Sequence, residues 1–286
     1  MIAARRRPPR AATGAGLALA LAWAAAAACI PGAGAQARPR PPASKRPGGA
    51  PPSAAAIRPT LLRNFSDDQA AVWRYRHVER VVIDKNHHLE DRTVRLDYVH
   101  GHEVPMVLAI NGRPLQPAAL AGQRAAARKR AQAMAKRPPA PRGGLVFNHK
   151  FYSFARLAND YVYGQPSARQ WHGRLTWVYP ASPNPAVHSR SRAEQILLAS
   201  RGAIWVDAGD LHVCRIEVAT FQPVRYWLGF LATVHNAGLD LELERHAPGR
   251  WLPAYAHFWA NATILLFKSF SETKTQRFSD WQLRKR

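Results

Sequence analysis

Twelve histidines are spread over the 286 residues, and two groups come near metal-ligand spacing: His87-His88 and His100-x-His102. A metal site needs several such donors converging from different elements. The first pair sits beside an expected turn and the second at a strand end, which favours exposed polar side chains over ligands. Arg215 and Glu217 are two apart in a strand and so point to one face. A cross-strand ionic network accounts for them as well as chemistry does. Of the two cysteines, Cys214 lies in an alternating strand pattern and reads as a small buried hydrophobe. Left alone by removal of Cys29, it makes neither an internal disulfide nor a thiolate metal site. The sequence has no Gly-x-Ser-x-Gly, no His-Glu-x-x-His, no Cys-x-x-Cys and no phosphate-cradling glycine loop. The expectation is a chain that is not an enzyme, with no catalytic residue, no metal and no cofactor. A hydrolase with an unfamiliar site would require His and carboxylates clustered in a cleft.

The opening of the chain has the charge order of a signal peptide. Arg5, Arg6, Arg7 and Arg10 precede an apolar run from Ala11 to Ile30, and small residues follow to Ala35. Residues 1–35 are therefore expected to be a leader and the protein periplasmic. Lipidation of Cys29 would instead tether it to a membrane. Residues 36–56, rich in Pro, Arg, Ala, Gly and Ser, cannot bury enough surface to offset ordering and read as a flexible linker. Residues 57–286 fit a single domain. The formal charge of +23 attracts polyanions, with anionic membrane surfaces as eligible as nucleic acid. Export removes nucleic acid, so it is not the expected partner.

The elements within that domain read as follows. A helix is expected around Arg58 to Ala71, with Ser66, Asp67 and Asp68 capping an inner turn. Period-two alternation then gives strands through Trp73–Ile83, Val94–Tyr98 and Val104–Ile110, with turns at Asp84-Lys85-Asn86 and Asn111-Gly112. Residues 114–137 form a basic helical insertion without an acid, read either as an anion-facing arm or as a solvated excursion. Ser191-Arg192-Ala193-Glu194 has capping-box spacing. Leu239, Leu241 and Leu243 alternate with Asp240, Glu242 and Glu244, a half-buried strand. The fold class is α+β, mainly antiparallel.

Two segments bear on a ligand. The strand from Trp251 places Trp251, Tyr255 and Trp259 on one face and Ala254, Ala256, Ala260 and Ala262 on the other, with Phe258 and Ile264 among them. Small residues in a long strand leave space for a packed helix or a ligand. Between strands, Pro223 to Gly238 is too short to span a membrane and too apolar for an ordinary loop. It reads as a short core helix, a hairpin extension, or a membrane-touching lid with Trp227 as anchor.

In the second half, Arg192-Ala193-Glu194-Gln195-Ile196-Leu197, Gly202-Ala203-Ile204-Trp205-Val206-Asp207, Arg215-Ile216-Glu217, Trp251-Leu252-Pro253, Leu265-Leu266-Phe267-Lys268 and Arg277-Phe278-Ser279-Asp280 occur in that order. Together they resemble the bacterial outer-membrane lipoprotein-sorting superfamily, termed LolA-like. The resemblance extends loosely to Tyr75–Arg80 and to Asn111-Gly112-Arg113-Pro114-Leu115. It implies a curved antiparallel half-barrel with helices over its concave face, binding or carrying the acyl chains of a lipid or acylated protein without catalysis or cofactor. The side chains expected at such a cavity or its lid are Trp205, Tyr226, Trp227, Phe230, Leu231, Ala256, Phe258 and Ala260. The basic helix near Arg124 departs from the family pattern, and no counterpart of the carrier's lid-locking arginine is found. An envelope sensory or protein-binding module using the same sheet is the alternative.

Overall fold

The computed structural model describes residues 50–141, 144–147, 150–189, 191–226 and 231–284. The first helix, α1, spans Ala54–Val72 and so begins inside the segment read as linker. Ser53 caps it by accepting from the Ala56 N–H, and Pro59 lies within it. β1 (Tyr75–Lys85), β2 (His88–Val99), β3 (His102–Ile110) and β4 (Arg113–Pro114) then follow through two-residue turns. Asn86-His87, His100-Gly101 and Asn111-Gly112 all hold φ between 50° and 80°. That is the type I′ geometry whose twist matches paired strands. The first turn lies later than expected because Asp84 and Lys85 stay in the ladder, opposite Leu89 and His88.

The insertion forms α2 (Pro117–Ala135), which lies across β3 and β2 and buries none of its residues. A separate ribbon of β5 (Gly144–Phe147) and β6 (Lys150–Ser153) leads into α3 (Phe154–Asn159). Next come β7 (Tyr161–Tyr163), β8 (Ser167–Trp171), β9 (Arg174–Pro183) and α4 (Arg192–Leu198). Ser191 caps α4 through the Glu194 N–H, as its spacing predicts. The remainder is strand: β10 (Ser200–Asp207), β11 (Val213–Thr220), β12 (Val224–Tyr226), β13 (Ala232–Ala247), β14 (Arg250–Ile264) and β15 (Lys268–Leu283).

Thirteen of these strands make one open antiparallel sheet, ordered β4-β3-β2-β1-β15-β14-β13-β11-β10-β9-β7, with β12 beside β13 and β8 beside β9. The fold is thus α+β and mainly antiparallel. The last strand sits in the middle, pairing with β14 on one side and β1 on the other. Of the 223–238 segment, the described residues pair as a hairpin extension does: Val224, Arg225 and Tyr226 lie opposite Val234, Thr233 and Ala232, and residues 227–230 lie outside the described residues.

A bulge in β14 corrects the expected faces of that strand. Tyr255 pairs with Glu242 but Pro253 pairs with Leu243, so Ala254 is the extra residue and every side chain before it changes sides. Trp251 therefore leaves the face of Tyr255 and Trp259 and is buried beside Val213, Leu241 and Ala256. The space above the small residues of β14 is filled by protein. Ala260 and Ala262 pack with Val224, Tyr226, Phe270 and Ile196, so the β12 hairpin and α4 cover them.

Candidate functional site

An unfilled space lies on the same face of the sheet, between α1 and the neighbouring strands β10, β11 and β13. Ile57, Leu61 and Phe65 recur at helical spacing and give α1 an apolar stripe. Beneath it the register brings Gly202 and Ile204 of β10, Ile216 and Val218 of β11, and Leu239 and Leu241 of β13 onto one face. Leu157 and Ala158 of α3, Tyr161, Tyr179 and Leu197 close the sides. They enclose about 260 Å³ with almost wholly apolar walls.

Four of the polar side chains around this cavity already have protein partners. The Tyr161 hydroxyl donates to the Leu197 carbonyl at 2.6 Å, and the Tyr179 hydroxyl donates to the Pro52 carbonyl at 2.9 Å. Arg58, at the border, donates to Asn159 Oδ1. Glu217 also borders the cavity, but Arg215 at 2.7 Å and the Trp205 indole N–H at 3.2 Å hold its carboxylate. Arg215 further makes a two-pronged contact with Asp240, at 2.8 and 2.6 Å. This is the cross-strand network expected of Arg215 and Glu217.

Helix α1 is held over the sheet by a buried polar tether. Asp68, expected to cap an inner turn, instead receives His212 Nδ1 at 2.6 Å on one oxygen and the Trp251 backbone N–H at 3.2 Å on the other. Burial alone would lower the His212 pKa, but the hydrogen bond and charge of Asp68 outweigh it and raise it above 6.5. Asn64 adds a donor to the Leu211 carbonyl at 2.9 Å. Beside this tether, Arg174 grips Asp207, with one bond of 2.7 Å. Burial acts to raise the Asp207 pKa, yet the Arg174 bonds prevail and bring it down to about 2. Phe65 packs on Phe154 with ring centroids 4.4 Å apart, joining α1 to α3.

Cys214 is buried, and burial pushes its thiol up to about 12, so it keeps its proton at neutral pH. Among the described residues no group of three or more His, Cys, Asp and Glu could hold a metal ion. His100 Nδ1 and His102 Nε2 lie 3.4 and 2.9 Å from the carbonyls of Arg137 and Pro138, where they fasten the chain leaving α2. His87 and His88 are exposed at the first hairpin.

The residues singled out in sequence stand elsewhere. Tyr226, Phe258 and Ala260 belong to the packed cluster under the β12 hairpin, with Leu231 against it. Ala256 packs beside Trp251. Trp205 lies on the opposite face from Ile204, with Trp171 and Arg215. None of these six lines the 260 Å³ cavity, and Trp227 and Phe230 lie outside the described residues. Sequence reasoning overlooked α1 itself as a wall, although its Ile57-Leu61-Phe65 stripe was visible.

One surface feature stands at the sheet end where β14 turns into β15. Leu265, Leu266 and Phe267 are 52, 61 and 83% exposed, and both leucines hold positive φ, of 50° and 68°. Side chains rarely adopt that conformation, which costs about 1–2 kcal/mol per residue. The Leu265 N–H donates to the Leu231 carbonyl at 3.1 Å, so this tip adjoins the β12–β13 hairpin. No family model matches the chain, and no curated protein matches it.

Proposed function

We propose that the chain binds an apolar ligand, the acyl chain of a lipid or of an acylated protein, in the cavity beneath α1. The observation that carries this reading is a 260 Å³ space with almost wholly apolar walls, where Tyr161, Tyr179 and Glu217 at the border already have protein partners. Such a space offers nothing to a charged or strongly hydrogen-bonding ligand and favours hydrocarbon, at about 0.8 kcal/mol for each methylene buried. Its size is near the lower end of ligand pockets, about 300–1,000 Å³. It therefore suits one chain better than a whole lipid.

The ordered fragments that resemble the lipoprotein-sorting superfamily point the same way. On this reading the antiparallel sheet is the half-barrel of that superfamily, α1 with α3 and α4 is its lid, and the protein works non-enzymatically in the periplasm. The exposed Leu265-Leu266-Phe267 tip, followed by Lys268, is where such a carrier would touch an anionic membrane surface. No described helix is long and apolar enough to cross a membrane.

Titration with a fluorescent fatty-acid analogue tests the site. Saturable binding is expected, weakened about tenfold or more by Val218→Trp, whose added volume enters the cavity. Equal affinity in the filled variant would place the ligand elsewhere.

A further inference from the structure

At the other end of the sheet, α2 roofs a cleft unrelated to the apolar cavity. Only Leu120, Gln123, Ala127, Ala131 and Met134 of α2 are partly covered, the i, i+3, i+4 stripe that faces β3 and β2. Its central members are alanines, too short to fill the gap, and about 740 Å³ remains between helix and sheet. Arg76, Arg95, Arg124, Arg128 and Arg284 all line that space, with Asp97 the sole carboxylate in its lining. Arg76 takes Asp97 at 2.8 Å, and Arg95 stands 3.7 Å from the other carboxylate oxygen. Arg284 spends one nitrogen on the Tyr98 carbonyl.

Among the described residues the remaining guanidinium donors are weakly satisfied. Arg95 Nε, the atom 3.7 Å from Asp97, is buried without a hydrogen bond among the described residues, and its Nη2 contacts the Met106 thioether at 3.7 Å. Leaving a buried charged donor unbonded costs about 1–3 kcal/mol or more. Arg124 and Arg128 make no ion pair among the described residues and stand four apart on one helix, where like charges repel by about 0.2–0.5 kcal/mol. The helix does nothing to offset this: Gln116 gives no side-chain cap and the first turn has no acid. A cleft lined by five guanidinia and one carboxylate has the chemistry of a phosphate site, because guanidinium forks match phosphate oxygens two at a time.

We propose that the cleft between α2 and strands β1–β3 binds a ligand bearing one or more phosphate groups, with Arg95, Arg124 and Arg128 as its principal contacts. The site shares no lining residue with the apolar cavity, so its success or failure is independent of acyl binding. The phosphate belongs either to a soluble anion or to a lipid headgroup, and the two are separable.

Calorimetric titration of the purified protein with inorganic pyrophosphate, with dihexanoyl phosphatidic acid and with dihexanoyl phosphatidylcholine tests this. Saturable binding of pyrophosphate as tightly as of phosphatidic acid assigns the site to a soluble anion, whereas preference for phosphatidic acid over both other ligands assigns it to a headgroup. In either case Arg124→Ala with Arg128→Ala should weaken binding about tenfold or more, as the loss of charge-assisted bonds requires. Both side chains are exposed and alanine favours helix, so the fold should survive. Lys136→Ala with Arg137→Ala removes the same charge beyond the cleft and should leave binding unchanged. The proposal is overturned if both double variants lose affinity equally, which would mean attraction to net charge alone, or if neither phosphate ligand binds saturably.

Discussion

His77 shows how a single side chain sets a local condition on the whole sheet. It is 0% exposed, stacked 4.1 Å from Trp281 and also against Tyr98 and Phe278, and among the described residues neither ring nitrogen has a hydrogen-bond partner, Nε2 standing 3.9 Å from Glu79. Burial lowers its pKa to about 4, so the ring is neutral at pH 7. Replacing it by Phe keeps the stacking and removes two orphaned nitrogens. His77→Phe should therefore gain about 1–2 kcal/mol in urea unfolding. The advantage should widen as pH falls from 6.5 towards 4, where the unfolded His binds a proton that the folded one refuses.

The Asp68–His212 pair carries the opposite sign. Its folded-state pKa is raised, so its contribution is fully present below 6.5 and is lost as pH rises through the folded value. In thermal melts the gap between wild type and Asp68→Asn should be widest in mild acid and should narrow in alkali. A gap that grows with pH would show that His212 does not carry the charge.

At the scale of elements, close backbone approach explains one glycine. Gly202 faces β11 so tightly that a Cβ would lie 1.7 Å from the Glu217 carbonyl oxygen. Gly202→Ala should push β10 off β11 and cost about 3 kcal/mol or more, measured by denaturant unfolding. The cavity floor lies on these two strands, so the same variant should also lose the fatty-acid analogue.

Much of this layer was legible in sequence. The alternation of Leu239, Leu241 and Leu243 gave the floor of β13, the Asn111-Gly112 turn fell where its residues put it, and Ser191 caps α4 as its spacing demands. What period-two patterning could not convey was the bulge at Ala254, because one extra residue inverts a face without disturbing composition. Nor could it tell which space stays open. The alanines of β14 signalled room truthfully, but β12 and α4 come from elsewhere in the chain to occupy it, while α1 covers the larger side chains of β10, β11 and β13 only in part and leaves the cavity beside them.

For the molecule as a whole, three features share one sheet: an apolar cavity under α1, an apolar tip at the β14–β15 turn, and an arginine-lined cleft under α2. The first would take hydrocarbon, the second would meet a membrane surface and the third would hold phosphate, a combination suited to handling amphiphiles. That combination was only partly visible beforehand. The charge is plain in sequence, but the exposure of Leu265-Leu266-Phe267 is not, and Arg76, Arg95 and Arg284 come together under Arg124 and Arg128 only once β1 has paired with β2 and β15.

Occupancy of the space beneath α1 can be read by native mass spectrometry of the protein purified without detergent. The wild-type protein should carry an added mass that organic extraction recovers as a fatty acid or acylated molecule, and that falls away in Val218→Trp while the variant stays folded. Wild-type protein at its bare polypeptide mass in repeated preparations, taking up no fatty acid when one is supplied, would contradict it.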